Sequence, residues 1–540
     1  MDNAYSQPAR LERLFAHDLI SRRELVQALT ALGVTLTGVE RLIGTVPEAE
    51  ARTLPAAAVH DRYLVIIVMD GFRADYATLA PMHHLQALMA RGTAYDTAWV
   101  GHLESETPTG HATIATGAYP RKHSIIGFGW RDLTTSQFTW LPTSIPAIKA
   151  GALTRVIEAG GVPTISDLIH SRNPKDLAIS LSGEKYYAAA TMGAGANYVL
   201  YGKDSRQEFR PVSIGPHVVP AGSGYQSVTG DSAFELQDQF AATLAIQLVR
   251  SLRPRALLVN LPGVDSAGHY YGGMRSPRDM TATIKGADLA VGRIVDQYRQ
   301  LGLLDRTIVV VTADHGMAAN RHIVPIHPMY RAVAASVGST LDEEFRVSMG
   351  SIWMRQPSQD RALAAAMVAK HFPGIEGALY KVASGSGWSF QPDASTAALL
   401  PHDVLQAYLR LADTEACVAG PEVILAFGED TLGLTVKNRK RWGAHGGFSW
   451  GVQHIPMIIA GPGVRHGTSQ FPAKLVDVAP TVERLIGLPI PPGVDGVTLA
   501  DALSDATARE RAAQTSVAPP RLADIRALRA HSAAQSSGKP

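Results

Sequence analysis

Residues 307–317 read TIVVVTADHGM. A run of mostly β-branched residues ends directly on Asp314, His315 and Gly316. A strand apolar on both alternating sides is covered on both faces of its sheet. Similar runs occur at 63–71 (YLVIIVMDG), 256–263 (ALLVNLPG), 423–430 (VILAFGED) and 455–463 (IPMIIAGPG). Helix-like stretches lie between them, at 232–252 (SAFELQDQFAATLAIQLVRSL) and 282–304 (ATIKGADLAVGRIVDQYRQLGLL). This alternation predicts an α/β fold with a mostly parallel central sheet and helices on both faces. Such sheets bind ligands beyond the carboxyl ends of their strands, so the polar residues there carry most of the functional information.

The bulk numbers exclude some classes. Lys plus Arg total 50 against 48 Asp plus Glu, so no whole-molecule field draws in nucleic acid. One cysteine, Cys417, allows neither a disulfide within the chain nor a cysteine-based zinc site. No stretch of about 20 apolar residues is present to span a bilayer as a helix. Residues 1–60 read two ways. SRRELVQALTALGVTLTGV (21–39) followed by LPAAAVHD (54–61) resembles a twin-arginine export signal, which would place the protein in the periplasm or outside the cell. The alternative is an amphipathic helix on a cytoplasmic protein. Residues 61–503 are expected to form the core domain, with a small α+β insertion at about 340–440. Residues 504–540, rich in Ala, Arg, Ser and Pro, are expected to be a poorly ordered tail, a helix that frays. GAGAN (193–197) and AGSGYQ (221–226) lack a nucleotide-loop context and read as turns.

Three aspartates stand at or just beyond strand ends: Asp70, Asp265 and Asp314. One such residue alone usually caps the next helix. Together they put several carboxylates beside a dry sheet edge, which demands compensating cations. Histidines accompany them. DSAGHYYGG sets His269 four residues after Asp265, TADHGM joins His315 to Asp314, and GAHGG carries His445. Glycine neighbours let the backbone turn sharply enough for imidazoles to approach one point. Any one of these histidines alone would read as an ordinary surface or core residue.

Asp70-Gly71, DSAGHYYG, TADHGM and GAHGG, in that order, resemble the alkaline phosphatase superfamily, and within it the nucleotide pyrophosphatase/phosphodiesterase branch. The resemblance runs from Tyr63 to Ala502 and includes VDVAPTVERLIGLPIPPGVDG (476–496), similar to that family's closing segment. It implies a metal-dependent phosphoric ester hydrolase with two divalent ions, usually zinc. Asp265, His269 and His445 would hold one ion, and Asp70, Asp314, His315 and Thr107 the other. Thr107, in ESETPTGHATIATGAYPRKHSI (104–125), matches the family's nucleophile. Thr109 is the rival, and an N-cap role for Thr107 is the plain alternative. His111 and His123 read as structural.

The implied substrate is a small phosphate ester or nucleotide, and the implied route a phospho-threonine intermediate. Phe128 stands where related monoesterases show an Asn. Lys185 is the candidate phosphate clamp, with Arg131 behind it. These departures favour diesters or pyrophosphates. The alternatives are a phosphomonoesterase, a phosphonate hydrolase on the same ions, or a non-catalytic metal-binding relative. A formylglycine-type sulfatase is disfavoured because TPTGH lacks its Cys/Ser-x-Pro-x-Arg frame.

Overall fold

A computed structural model describes residues 59–537, apart from 143, 206–207, 224–225, 228–229, 231, 341–344, 349 and 435–441. The segment in which the export signal or amphipathic helix was expected lies outside the described residues. No helix among those described is long and apolar enough to cross a membrane.

The apolar runs form the middle of a ten-stranded sheet. Tyr63–Met69 is flanked in parallel by Thr307–Thr312 and Ala256–Leu261, with Val65 opposite both Val309 and Leu257. Ala178–Ser182 and then Tyr198–Ser205 continue the parallel pairing outward. On the other side Met457–Ala460 enters antiparallel against Thr307–Thr312. Every residue of the two inner strands Ala256–Leu261 and Thr307–Thr312 is buried. Valine and isoleucine pack well on such a pleated surface, and burial of both alternations means that helices cover both faces. The mostly parallel α/β fold is therefore as expected. Because the four inner strands run in parallel, Asp70, Ser182, Asn260 and Asp314 all reach the same edge.

One of the five apolar runs belongs elsewhere. Val423–Phe427 pairs antiparallel with Ile375–Ser384 and Ser351–Met354, in a separate five-stranded sheet. The helix Gln359–Lys370 backs this sheet through a row of buried alanines, Ala362, Ala365, Ala366 and Ala369. An apolar period identifies a strand but not its partner. The tail is helical, as expected, but packed rather than frayed over Ala508–Ser537. It buries Ile525, Ala527 and Leu528 beside Val404, Leu405 and Leu411 of the helix His402–Ala412. Arg521 ties it down through a buried ion pair with Asp477 at 2.5 Å. A few well-placed apolar residues and paired charges order a segment whose average composition reads as polar.

Candidate metal centre

Strand Tyr63–Met69 delivers Asp70 to the carboxyl edge, and Gly71 follows with φ +67. A Cβ on Gly71 would lie 2.8 Å from both Cα and Cβ of Asp265, so only glycine lets the two aspartates approach this closely. The Gly71 N–H donates to Asp314 Oδ1 at 3.1 Å, as does the His315 N–H at 3.0 Å. Asp265 sits in the first turn of helix Gly263–Tyr271 and His269 in its last, on one face of the helix four residues apart.

Thr107 opens helix Thr107–Thr116; its preceding residue Glu106, not Thr107, occupies the N-cap position. The helix therefore points its positive N-terminal end into the same space. Thr107 Oγ1 lies 3.4 Å from Asp70 Oδ1 and 3.2 Å from His315 Nε2. Thr109, the rival, accepts the Gly127 N–H at 2.6 Å and is committed to the loop.

The histidines share one orientation. Nδ1 of His315 faces the Gly316 carbonyl at 2.9 Å, that of His269 the Gly443 carbonyl at 2.8 Å, and that of His445 the Ser105 carbonyl at 3.2 Å. A carbonyl only accepts, so each Nδ1 carries the proton and each Nε2 presents a lone pair. The lone pairs converge. His269 Nε2 and His445 Nε2 are 3.2 Å apart and lie 3.5 and 3.4 Å from Asp265 Oδ1. His315 Nε2 lies 3.4 Å from Asp314 Oδ2. Asp265 Oδ1 and Asp314 Oδ2 are buried and accept no well-formed hydrogen bond among the described residues, His111 Nδ1 standing off Asp314 Oδ2 at 3.3 Å. Lone pairs facing lone pairs in a dry site are repulsive unless a cation lies between them. Asp265, His269 and His445 form one set whose ligand atoms all lie within 4.8 Å of one another. Asp70, Asp314, His315 and Thr107 cluster beside it. The donors are nitrogen and oxygen only, which suits a divalent ion such as zinc. The residues present fit the ions that the sequence resemblance implies.

A cation of the chain itself also enters the site. Lys185 Nζ lies 2.5 Å from Asp265 Oδ2, 2.8 Å from Asp70 Oδ1 and 3.4 Å from Thr107 Oγ1. Burial alone would neutralise Lys185, but Asp265 and Asp70 hold it well above the usual lysine range. Burial would likewise raise Asp265, yet positive charge beside it, that of Lys185 at 2.5 Å included, keeps it well below the usual carboxylate range. Asp70 goes the other way, to about 6, through burial and the neighbouring Asp314. Burial and His315 hold His445 well below its ordinary value, which keeps it neutral and able to ligate.

Lys185, read from sequence as a candidate clamp, is thus brought beside Thr107, Asp70 and Asp265. Arg131 is not: its guanidinium is buried in a pair with Glu422 at 2.8 Å. The half-buried Phe128 gives its backbone N–H to Glu106 and sets its ring edge-on to Tyr187, with centroids 5.1 Å apart. His123 is structural, bonded to Thr113 Oγ1 at 3.1 Å and to the Ile125 N–H at 3.2 Å. Sequence reasoning missed Tyr187 and Asn260. The second had a signal, a lone polar residue inside the buried run ALLVNL.

Comparison with known proteins agrees with this geometry. Residues 64–395 match the model of the family described as type I phosphodiesterase / nucleotide pyrophosphatase. Alkaline phosphatase PhoK of a Sphingomonas species is 22% identical over 513 residues, covering 81% of this chain and 90% of that protein. The bis(5'-adenosyl)-triphosphatase enpp4 of Xenopus laevis is 24% identical over 272 residues, 49% of each chain, so the alignment spans only about half of that relative. Among solved structures, alkaline phosphatase PafA superposes with TM-score 0.61 over 82% of this chain and 99% of its own, at 15% identity. Murine ectonucleotide pyrophosphatase / phosphodiesterase 5, solved with AMP, gives 0.56 over 82% and 100%, also at 15%. These superpositions establish the alkaline phosphatase-like fold.

Proposed function

The chain belongs to the type I phosphodiesterase / nucleotide pyrophosphatase family, and from that premise we propose a two-ion hydrolase of monoanionic phosphate esters, diesters or pyrophosphates, acting through phosphorylated Thr107. Asp70, Asp314, His315 and Thr107 would hold one ion, and Asp265, His269 and His445 the other. When bound, such ions lower the pKa of a hydroxyl group and take up charge from a departing oxygen.

The chain's own residues supply the rest. Thr107 Oγ1 attacks phosphorus in line, its bond to phosphorus forming as the bond to the leaving oxygen breaks. Asp70 Oδ1, at 3.4 Å, is the carboxylate oxygen nearest to its proton, since the His315 Nε2 lone pair would be spent on the ion. The N-terminus of helix Thr107–Thr116 and Lys185 Nζ put positive charge where the non-bridging oxygens collect. Water then cleaves the Thr107 ester, releasing the phosphoryl product and restoring the hydroxyl.

One observation carries the choice of substrate: Lys185 reaches both Asp70 and Asp265, while Arg131 is occupied by Glu422. Two dications, three aspartates, a Thr107 alkoxide and Lys185 leave about one net positive charge in the site. A monoanionic diester neutralises it, whereas a dianionic monoester overshoots. Phe128 and Tyr187 beside Lys185 bring no further charge. Phosphomonoester hydrolysis is the second reading, favoured by the alignment with alkaline phosphatase PhoK over 90% of that protein's length.

A panel of esters with zinc-loaded protein separates the two. Bis(p-nitrophenyl) phosphate or a nucleoside monophosphate p-nitrophenyl ester is expected to turn over faster than p-nitrophenyl phosphate. The reverse order supports the monoesterase. Thr107→Ala is expected to abolish turnover of every ester, and full activity in that variant would remove Thr107 from the mechanism.

A further inference from the structure

Behind the ligands runs a chain of hydrogen bonds whose direction is fixed at one end. Ser182 closes strand Ala178–Ser182, and its Oγ accepts the backbone N–H of Lys185 at 3.0 Å and that of Glu184 at 3.3 Å. With both lone pairs occupied, the Ser182 hydroxyl proton is left for Asn260 Oδ1 at 2.7 Å. The amide is thereby oriented. Its Nδ2 donates to Asp70 Oδ2 at 2.7 Å and lies 3.0 Å from His111 Nε2. The opposite orientation would set an amide oxygen against the Asp70 carboxylate.

The direction carries through to Thr107. An amide nitrogen here offers only protons, so His111 Nε2 is the acceptor and the His111 proton sits on Nδ1. From there it donates to the Thr107 carbonyl at 2.8 Å and lies 3.3 Å from Asp314 Oδ2. Ser182, Asn260, His111 and Asp70 are all 0% exposed, so water does not compete for these groups.

We propose that Asn260 is a positioning residue for the Thr107 nucleophile. Its amide, oriented by Ser182, sets the rotation of Asp70 next to Oγ1 and, through the tautomer of His111, the carbonyl of Thr107. One polar group on a buried strand thus holds the nucleophile from two sides. The proposal builds on the reading of Thr107 as nucleophile; the tautomer of His111 is independent of that reading.

The test uses full-length zinc-loaded protein, with kcat and KM for bis(p-nitrophenyl) phosphate and nitrogen-15 histidine spectra. If Asn260 only fills space, the isosteric Asn260→Asp is the milder change and Asn260→Ala the more damaging. Positioning by polarity predicts the reverse. Asp would set an oxygen against Asp70 and accept a proton from His111 Nε2, drawing the tautomer away from Nδ1. The expected loss in kcat is about 100-fold for Asn260→Asp and about 10-fold for Asn260→Ala, with KM nearly unchanged. Wild-type His111 is expected to show an unprotonated Nε2. A wild-type Nε2 proton, or an alanine variant as impaired as the aspartate one, overturns the proposal. Should the aspartate variant fail to fold, the wild-type tautomer still decides. Should the wild type cleave no phosphate ester, the functional reading fails while the tautomer still reports on Asn260.

Discussion

His269 and His445 lie 176 positions apart in sequence, yet their Nε2 atoms face each other at 3.2 Å above one oxygen of Asp265. Both bring lone pairs, so the contact is not a hydrogen bond, and under the proposed function the two rings ligate one ion. His445→Ala is expected to lower bound zinc from about two to about one per chain and to cut kcat at least about 100-fold. Atomic absorption on desalted protein checks the first number, and steady-state kinetics the second.

The charge of the site predicts a change of preference. Tyr187 packs against Phe128, next to Lys185, and carries no charge at neutral pH, as for any tyrosine; burial only raises its hydroxyl further. Tyr187→Arg adds one positive charge there. The ratio of kcat/KM for p-nitrophenyl phosphate over bis(p-nitrophenyl) phosphate is expected to rise about tenfold, the worth of about 1.4 kcal/mol. An unchanged ratio would separate substrate charge from selectivity.

Metal loading should depend on pH through Asp70. Its carboxyl titrates at about 6, raised by burial and by Asp314, and only the ionised form ligates. Zinc affinity of metal-depleted protein is therefore expected to be steady above pH 7 and to fall as pH drops through 6. Calorimetric titrations across that range, in buffers of different ionisation enthalpy, will show proton release on binding near pH 6 and less above it.

Glu483 gives a stability prediction away from the site. It is fully buried, neither carboxylate oxygen has a hydrogen-bond partner among the described residues, and burial raises it to about 8. A raised acid holds its proton more tightly when folded. Its contribution is then complete below its ordinary value of 4.5 and is lost as pH climbs towards 8. Glu483→Gln is expected to raise the Tm by a few degrees at pH 9 and to leave it nearly unchanged at pH 5, as read by thermal unfolding.

Much of this was legible in the sequence because apolar strands announce themselves and their polar ends follow at once. Asp70, Asp314 and His315 are read from single stretches, and Thr107 from its distance to His111. Other facts depend on distance in space. Arg131 looked available as a clamp, yet Glu422, 291 positions away, claims it. Val423–Phe427 announced a strand, but its partners Ser351–Met354 and Ile375–Ser384 are set by tertiary packing. The final helix was read, but its packing was not, because order there rests on a few contacts, Arg521 with Asp477 among them, which composition averages away. Lys185 was read as a clamp, but its bridge between Asp70 and Asp265 appears only when three strand ends meet.

The proposed chemistry needs two ions per chain, and anomalous diffraction at the zinc edge, from crystals grown with zinc, locates them. Two peaks are expected, one bounded by Asp70, Asp314, His315 and Thr107 Oγ1, the other by Asp265, His269 and His445. A single peak, or peaks lying away from these seven side chains, would rule out a two-ion site there.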